Sequence, residues 1–161
     1  MIRDTVTLSP DMRLEEPVRL FSSQHQNGGV VLNAQGELVG VLFELDLVEA
    51  LRALDGVVPR LRFRSRRSHV ASLLRFLHSR KPAAARIVED WLHAKRVSDL
   101  VREDVFTTRP ESSLLDVARR MREDAIPYVP VIDGKRVVGV VTYDTVVRLA
   151  LRYARDVLVG V

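Results

Sequence analysis

Apolar and polar positions along this chain follow one outline that occurs twice. In the later copy, Tyr128-Val129-Pro130-Val131-Ile132 and Val137-Val138-Gly139-Val140-Val141-Thr142 flank an Asp133-Gly134 turn. Two β-branched runs about such a turn predict a hairpin whose second strand runs into a polar corner. In the earlier copy, Val30-Val31-Leu32 and Leu38-Val39-Gly40-Val41-Leu42-Phe43 are separated by Asn33-Ala34-Gln35-Gly36-Glu37. Ahead of that hairpin, residues 2–8 read as an extended segment stopped at Ser9-Pro10, because a residue before proline is pushed out of the helical region. Leu14, Val18 and Phe21 then recur at helical spacing. Pro17 is tolerated only in a first helical turn, so the regular helix is expected to start close to Glu15.

The second copy repeats this plan at an offset of one hundred residues in its first half, where Pro10 falls on Pro110, Leu14 on Leu114, Val18 on Ala118 and Phe21 on Met121, and Gly139 corresponds to Gly40 after a one-residue contraction. Ser113 with Asp116 has the spacing of a capping box, and Leu114, Val117, Ala118 and Met121 form the apolar stripe of the helix that follows. Each hairpin leads into another helix, with Leu45, Leu47, Val48 and Leu51 in the first copy and Val146, Val147, Leu149, Ala150 and Leu151 in the second. The predicted fold class is α+β: two β-α-β-β-α repeats packed with pseudo-two-fold symmetry. A three-stranded patch with two helices on one side covers its own apolar surface poorly, and two such units can cover each other.

Between the repeats the pattern changes. Residues 59–66 alternate strictly, as in a strand or extended arm; Ser68 is placed to cap a helix with Val70, Leu73, Leu74 and Leu77 on one face. Pro82 suits the start of a further helix, whose apolar face is expected to hold Ile87, Val88, Trp91 and Leu92. The expected organisation is a first repeat at 1–54, a basic arm and helical insertion at 55–96, and a second repeat with its C-terminal helix at 97–161. Arg60, Arg62, Arg64, Arg66, Arg67, Arg75, Arg80 and Lys81 lie in a stretch without Asp or Glu. Such a run is first a solvated surface in which arginine stems cover apolar area; an RNA, DNA or acidic protein partner is the functional alternative.

Composition narrows the chemistry. The 161 residues are 47% apolar with a formal net charge of +4, which fits a folded globule. Cysteine is absent, removing disulfides, thiolate nucleophiles and cysteine-ligated zinc, and the four histidines are scattered. No run of eighteen apolar residues and no signal-peptide pattern occurs, so a cytoplasmic location without a transmembrane segment is expected. With no activated serine and no metal cluster either, no catalytic residues and no metal ligands are assigned, and catalysis is not expected.

The repeated Val-Pro-Val-like strand, Asp-Gly turn and Gly-Val-Val-Thr element resemble those of a tandem cystathionine-β-synthase-type (CBS) domain pair, the Bateman module. The resemblance covers about residues 2–54 and 97–155. It implies two repeats with clefts between them, a homodimer, and a regulatory role through an adenosine-containing ligand such as AMP, ADP, ATP or S-adenosylmethionine, with no cofactor required. The family's ligand pattern has Thr or Ser three residues after a strand glycine and Asp six residues after it. Gly139 and Thr142 match in the second repeat, where the later position is Thr145 and Asp144 comes one residue early. Gly40 and Asp46 match in the first, where Phe43 replaces the hydroxyl.

Each repeat thus holds half of the polar equipment. A carboxylate can accept both hydroxyls of a ribose, and a hydroxyl near a helix start can add to a phosphate site, so Asp46 is the ribose candidate and Thr142 the phosphate candidate. Helix capping is the competing role for both. The resemblance further implies base contacts at Tyr128, Val129 and Val131 and at the extended segment Thr107-Thr108, with Pro130 acting as a strand constraint. The functional expectation is a non-catalytic module that signals to a partner in trans. Its alternatives are a nucleic-acid-binding protein using the arginine-rich insertion, and a structural dimer with empty, degenerate clefts.

Overall fold

The computed structural model describes residues 5–52, 54 and 82–159. The basic arm, the helix expected after Ser68, and the surface cations Arg60, Arg62, Arg64, Arg66, Arg67, Arg75, Arg80 and Lys81 lie outside the described residues. Two compact units are present, one spanning Asp4–Asp104 and the other Val105–Val161.

The first unit contains the complete β-α-β-β-α pattern: β1 (Val6–Leu8), α1 (Glu15–Gln24), β2 (Gly28–Leu32), β3 (Leu38–Phe43) and α2 (Glu44–Arg52). β1 pairs parallel to β2, and β2 pairs antiparallel to β3. As expected, α1 begins at Glu15 and places Pro17 in its first turn, where the missing N–H would have had no partner in the helix. A further helix, α3 (Pro82–Ala94), packs into this unit. Its Val88 and Leu92 join Leu8, Leu14, Phe21, Leu42 and Leu47 in one core. Ala85, Val88 and Leu92 are its buried positions; Ile87, expected on the same face, is 43% exposed, because its place on the helix is turned away from that row.

In the second unit α4 (Leu114–Glu123) is followed by the hairpin β4 (Tyr128–Asp133) and β5 (Arg136–Thr142), then by α5 (Tyr143–Val159). Ser113 caps α4 by accepting the N–H of Asp116 at 3.5 Å. The strand equivalent to β1 is reduced to one parallel bridge between Thr108 and Val131. Thr108 donates to the Pro130 carbonyl at 2.9 Å and accepts from Ile132 at 2.7 Å. The next rung upstream would need an N–H at position 130, which proline lacks, so pairing stops there. Pro130 is thus a site of missing pairing.

The repeats also share their turns. α1 and α4 are each followed by a non-glycine residue in the left-handed region, His25 and Ala125, both at φ 53°. One residue on, Gln26 donates to the Phe21 carbonyl and Ile126 to the Met121 carbonyl. One core cluster of the second unit is Val117, Met121 and Val129, bordered by Ile126, Val141 and Val146. Val147, Leu149 and Leu151 continue α5 as expected, yet all three are exposed.

Candidate functional site

The two strand-to-helix corners occupy matching places. Gly40 pairs with Val31 and Gly139 with Val131, each beside a register shift, at Val31/Leu32 and Val131/Ile132. Phe43 and Thr142 end their strands, so Asp46 and Thr145 are the third residues of α2 and α5.

Each corner carries half of a capping box. In the complete arrangement a hydroxyl before the helix accepts the N–H three residues on, and a polar side chain at that later position accepts the first N–H. At the first corner Asp46 Oδ2 accepts the N–H of Phe43 at 2.8 Å. At the second, Thr142 Oγ1 accepts the N–H of Thr145 at 3.2 Å, and the two threonine hydroxyls lie 3.0 Å apart. The half-matches to the ligand pattern are therefore also the two halves of a helix cap.

Asp46 has a second engagement. Its Oδ1 accepts from Arg102 Nε at 2.7 Å and also from Nη2 of the same guanidinium. The Asp46 side chain is 8% exposed and that of Arg102 52%, so the cation is the outer member of the pair. The guanidinium also lies 5.7 Å from the centre of the Phe43 ring, within cation–π range. The hydrogen bond to Asp46 is the main cause raising the Arg102 pKa above its ordinary value; burial opposes it, and the charges of Asp46 and Glu49 assist. Arg102 is consequently charged throughout the physiological range.

The segment that delivers Arg102 is tied to the first unit by its main chain. Leu14 donates to Lys95 at 3.1 Å, Val97 to Met12 at 2.9 Å and Ser98 to Pro10 at 3.0 Å. Val41 and Arg102 then exchange N–H···O bonds at 3.0 and 2.9 Å. This strap explains Gly40: a Cβ there would overlap the Arg102 carbonyl oxygen and come within 2.7 Å of Val101 Cγ2. Among the described residues Gly139 has no equivalent neighbour, its nearest contact being Val131 at 3.9 Å.

Most of the remaining candidates are brought together in the second unit: Tyr128 is paired with Thr142, Val131 with Gly139, and Thr108 bridges Val131. Tyr128 and Val129 are buried, the latter in the core with Val117 and Met121. Val131, Thr107 and Thr108 are half-buried, and Thr108 forms the strand bridge. Asp144 is exposed and pairs with Arg148 one turn along α5, with Nε donating at 3.1 Å. Sequence reasoning missed Arg102. It lies 56 residues from Asp46 and outside the basic run, and no spacing rule connects residues brought together by a strap. Among the described residues, no helix is long and apolar enough to cross a membrane, and no three His, Asp or Glu side chains are grouped to hold a metal ion.

The CBS-domain family model matches residues 1–53 and 97–152. The Methanocaldococcus jannaschii protein MJ1426 is 26% identical over 152 residues, covering 88% of this chain and 83% of that protein. Among solved structures, CBSX2 in complex with AMP is similar with a TM-score of 0.66 and 20% identity, over 94% of this chain and 91% of the other. The CBS domain of a membrane protein from Sphaerobacter thermophilus gives 0.68 and 22% identity, over 90% and 81%.

Proposed function

Because the chain belongs to the CBS-domain family, with a copy of the domain in each repeat, we propose that it is a non-catalytic regulatory module. It binds an adenosine-containing ligand and passes that state to a partner in trans. The observation that carries this reading is the pair of equivalent corners, each holding a polar side chain at the start of a helix. Asp46 accepts from the hydroxyls of a ribose, since neighbouring hydroxyl donors suit one carboxylate. Thr142 lies where the exposed N–H groups of a helix start favour an anion, and takes the phosphate. The existence of a CBSX2 complex with AMP supports the choice of ligand class.

Ligand binding regulates a partner only if its affinity differs between two conformations of the module. A homodimer completes the reading: Val147, Leu151 and Tyr153 on α5 are 56%, 66% and 74% exposed, and covering them with a second copy would remove apolar surface from water. Sedimentation across protein concentration tests that step, with a monomer at all concentrations counting against it.

Calorimetry and thermal shift with AMP, ADP, ATP and S-adenosylmethionine test the ligand. Heat or stabilisation with at least one is expected; none with all four overturns the reading. Asp46→Ala should then weaken every ribosyl ligand, whereas Thr142→Val should weaken phosphorylated ligands more than adenosine.

A specific observation favours a second reading, a structural scaffold with empty sites. Both oxygens of Asp46 and the Thr142 hydroxyl already have partners within the chain. Silence from all four ligands is the outcome this reading expects.

A further inference from the structure

Asp46 is covered by a side chain whose main chain is fixed independently. Arg102 holds Oδ1 through Nε and Nη2, and the Phe43 N–H holds Oδ2 at 2.8 Å, so both oxygens are engaged. The guanidinium is half-exposed above a buried carboxylate. The Arg102 backbone is secured by its two bonds to Val41, neither of which involves the side chain. The cation can therefore leave Asp46 by rotating its own side chain, with the strap in place.

We propose that Arg102 is a specificity gate for the ligand site of the first repeat: it withholds Asp46 from neutral nucleosides and yields it to ligands that combine a vicinal diol with an anionic group. The inference rests on the reading of Asp46 as the ribose acceptor and names which ribosyl ligands it accepts. A neutral diol offered alone would replace two charge-assisted bonds by bonds from uncharged donors and would leave the guanidinium without its carboxylate. A ligand that also carries phosphate gives the planar guanidinium another oxyanion to bind in fork geometry, so the ion pair is exchanged and not simply broken. Phe43 stands where the family pattern has a hydroxyl, and its ring gives the guanidinium a second surface to lie against.

The test is calorimetry of AMP and adenosine against the full chain, as wild type, Arg102→Gln and Arg102→Lys, each repeated in an Asp46→Asn background. The wild type should prefer AMP. Arg102→Gln should strengthen adenosine and weaken AMP, each by about tenfold, the scale of one charge-assisted bond. Arg102→Lys, which keeps the charge and loses the fork, should shift the same ratio less and serves if the glutamine variant does not fold. In the Asp46→Asn background the adenosine gain of Arg102→Gln should vanish, because it comes from releasing Asp46, while the weakening of AMP from the lost phosphate contact should remain. The Arg102 Nε–H resonance should move on adding AMP to the wild type and stay in place with adenosine. AMP binding with an unchanged AMP-to-adenosine ratio in Arg102→Gln would overturn the gate and leave the adenosine reading standing. No binding of AMP or adenosine to any variant would overturn the gate, and silence with ADP, ATP and S-adenosylmethionine as well would overturn both.

Discussion

At the first strand-to-helix corner the chain returns 56 residues later and lies across its own strand; at the second corner no described segment does so. The local geometry is otherwise matched. Each glycine pairs opposite a valine, beside the same register shift, four residues before a helix start. What the strap changes is the chemistry. It turns Gly40 into a steric requirement, buries Asp46, and converts a capping carboxylate into half of an ion pair, while among the described residues Gly139 has only Val131 nearby and the Thr142 hydroxyl bonds within its own corner. Equivalent positions in a repeat are therefore equivalent in backbone and not in function.

The largest effect should come from the glycines. Gly40→Ala drives a methyl group into the strap's carbonyl and should cost about 3 kcal/mol in urea unfolding, the upper range of overpacking. Gly139→Ala meets only Val131 and should stay within about 0.5 kcal/mol. Equal costs would break the comparison. Next, Asp46→Ala removes a cap and strands a cation, for about 2 kcal/mol, whereas Thr142→Val removes one cap for about 1 kcal/mol. The order of the two melting temperatures checks this.

The shared features should respond alike. Ala125→Gly and His25→Gly relieve the same left-handed backbone, and each should gain about 1 kcal/mol. A gain at one site alone would show that the matching turns are under different constraints. The smallest effect is Thr145→Asp, which supplies the carboxylate half of the box at the second corner beside a helix start. A gain of about 0.5 kcal/mol is expected, and a loss would mean that the Thr142–Thr145 hydroxyl bond is worth more than the completed cap.

Much of the fold was legible because its causes are local. The hundred-residue offset, the Asp133-Gly134 turn, the helix start at Glu15 and the strand-limiting role of Pro130 all follow from propensity, backbone restriction or missing donors within a few residues. Ile87 went astray because adjacent apolar residues do not share a helix face, and burial of Ala85 decided which row faces inward. The candidate site was half legible. The spacing from Phe43 to Asp46 and from Thr142 to Thr145 already had the form of a helix cap, but nothing near Asp46 announced a guanidinium.

By itself the sequence determined two copies of one β-α-β-β-α unit and the residues at each helix start, because hydrophobic period, turn residues and proline act over short range. Only the tertiary structure decided that, among the described residues, Asp46 has an internal cation and Thr142 does not. That difference depends on where a strap held by main-chain bonds to Met12, Leu14, Pro10 and Val41 sets down Arg102, and long-range backbone pairing leaves no periodic trace in the residues it joins.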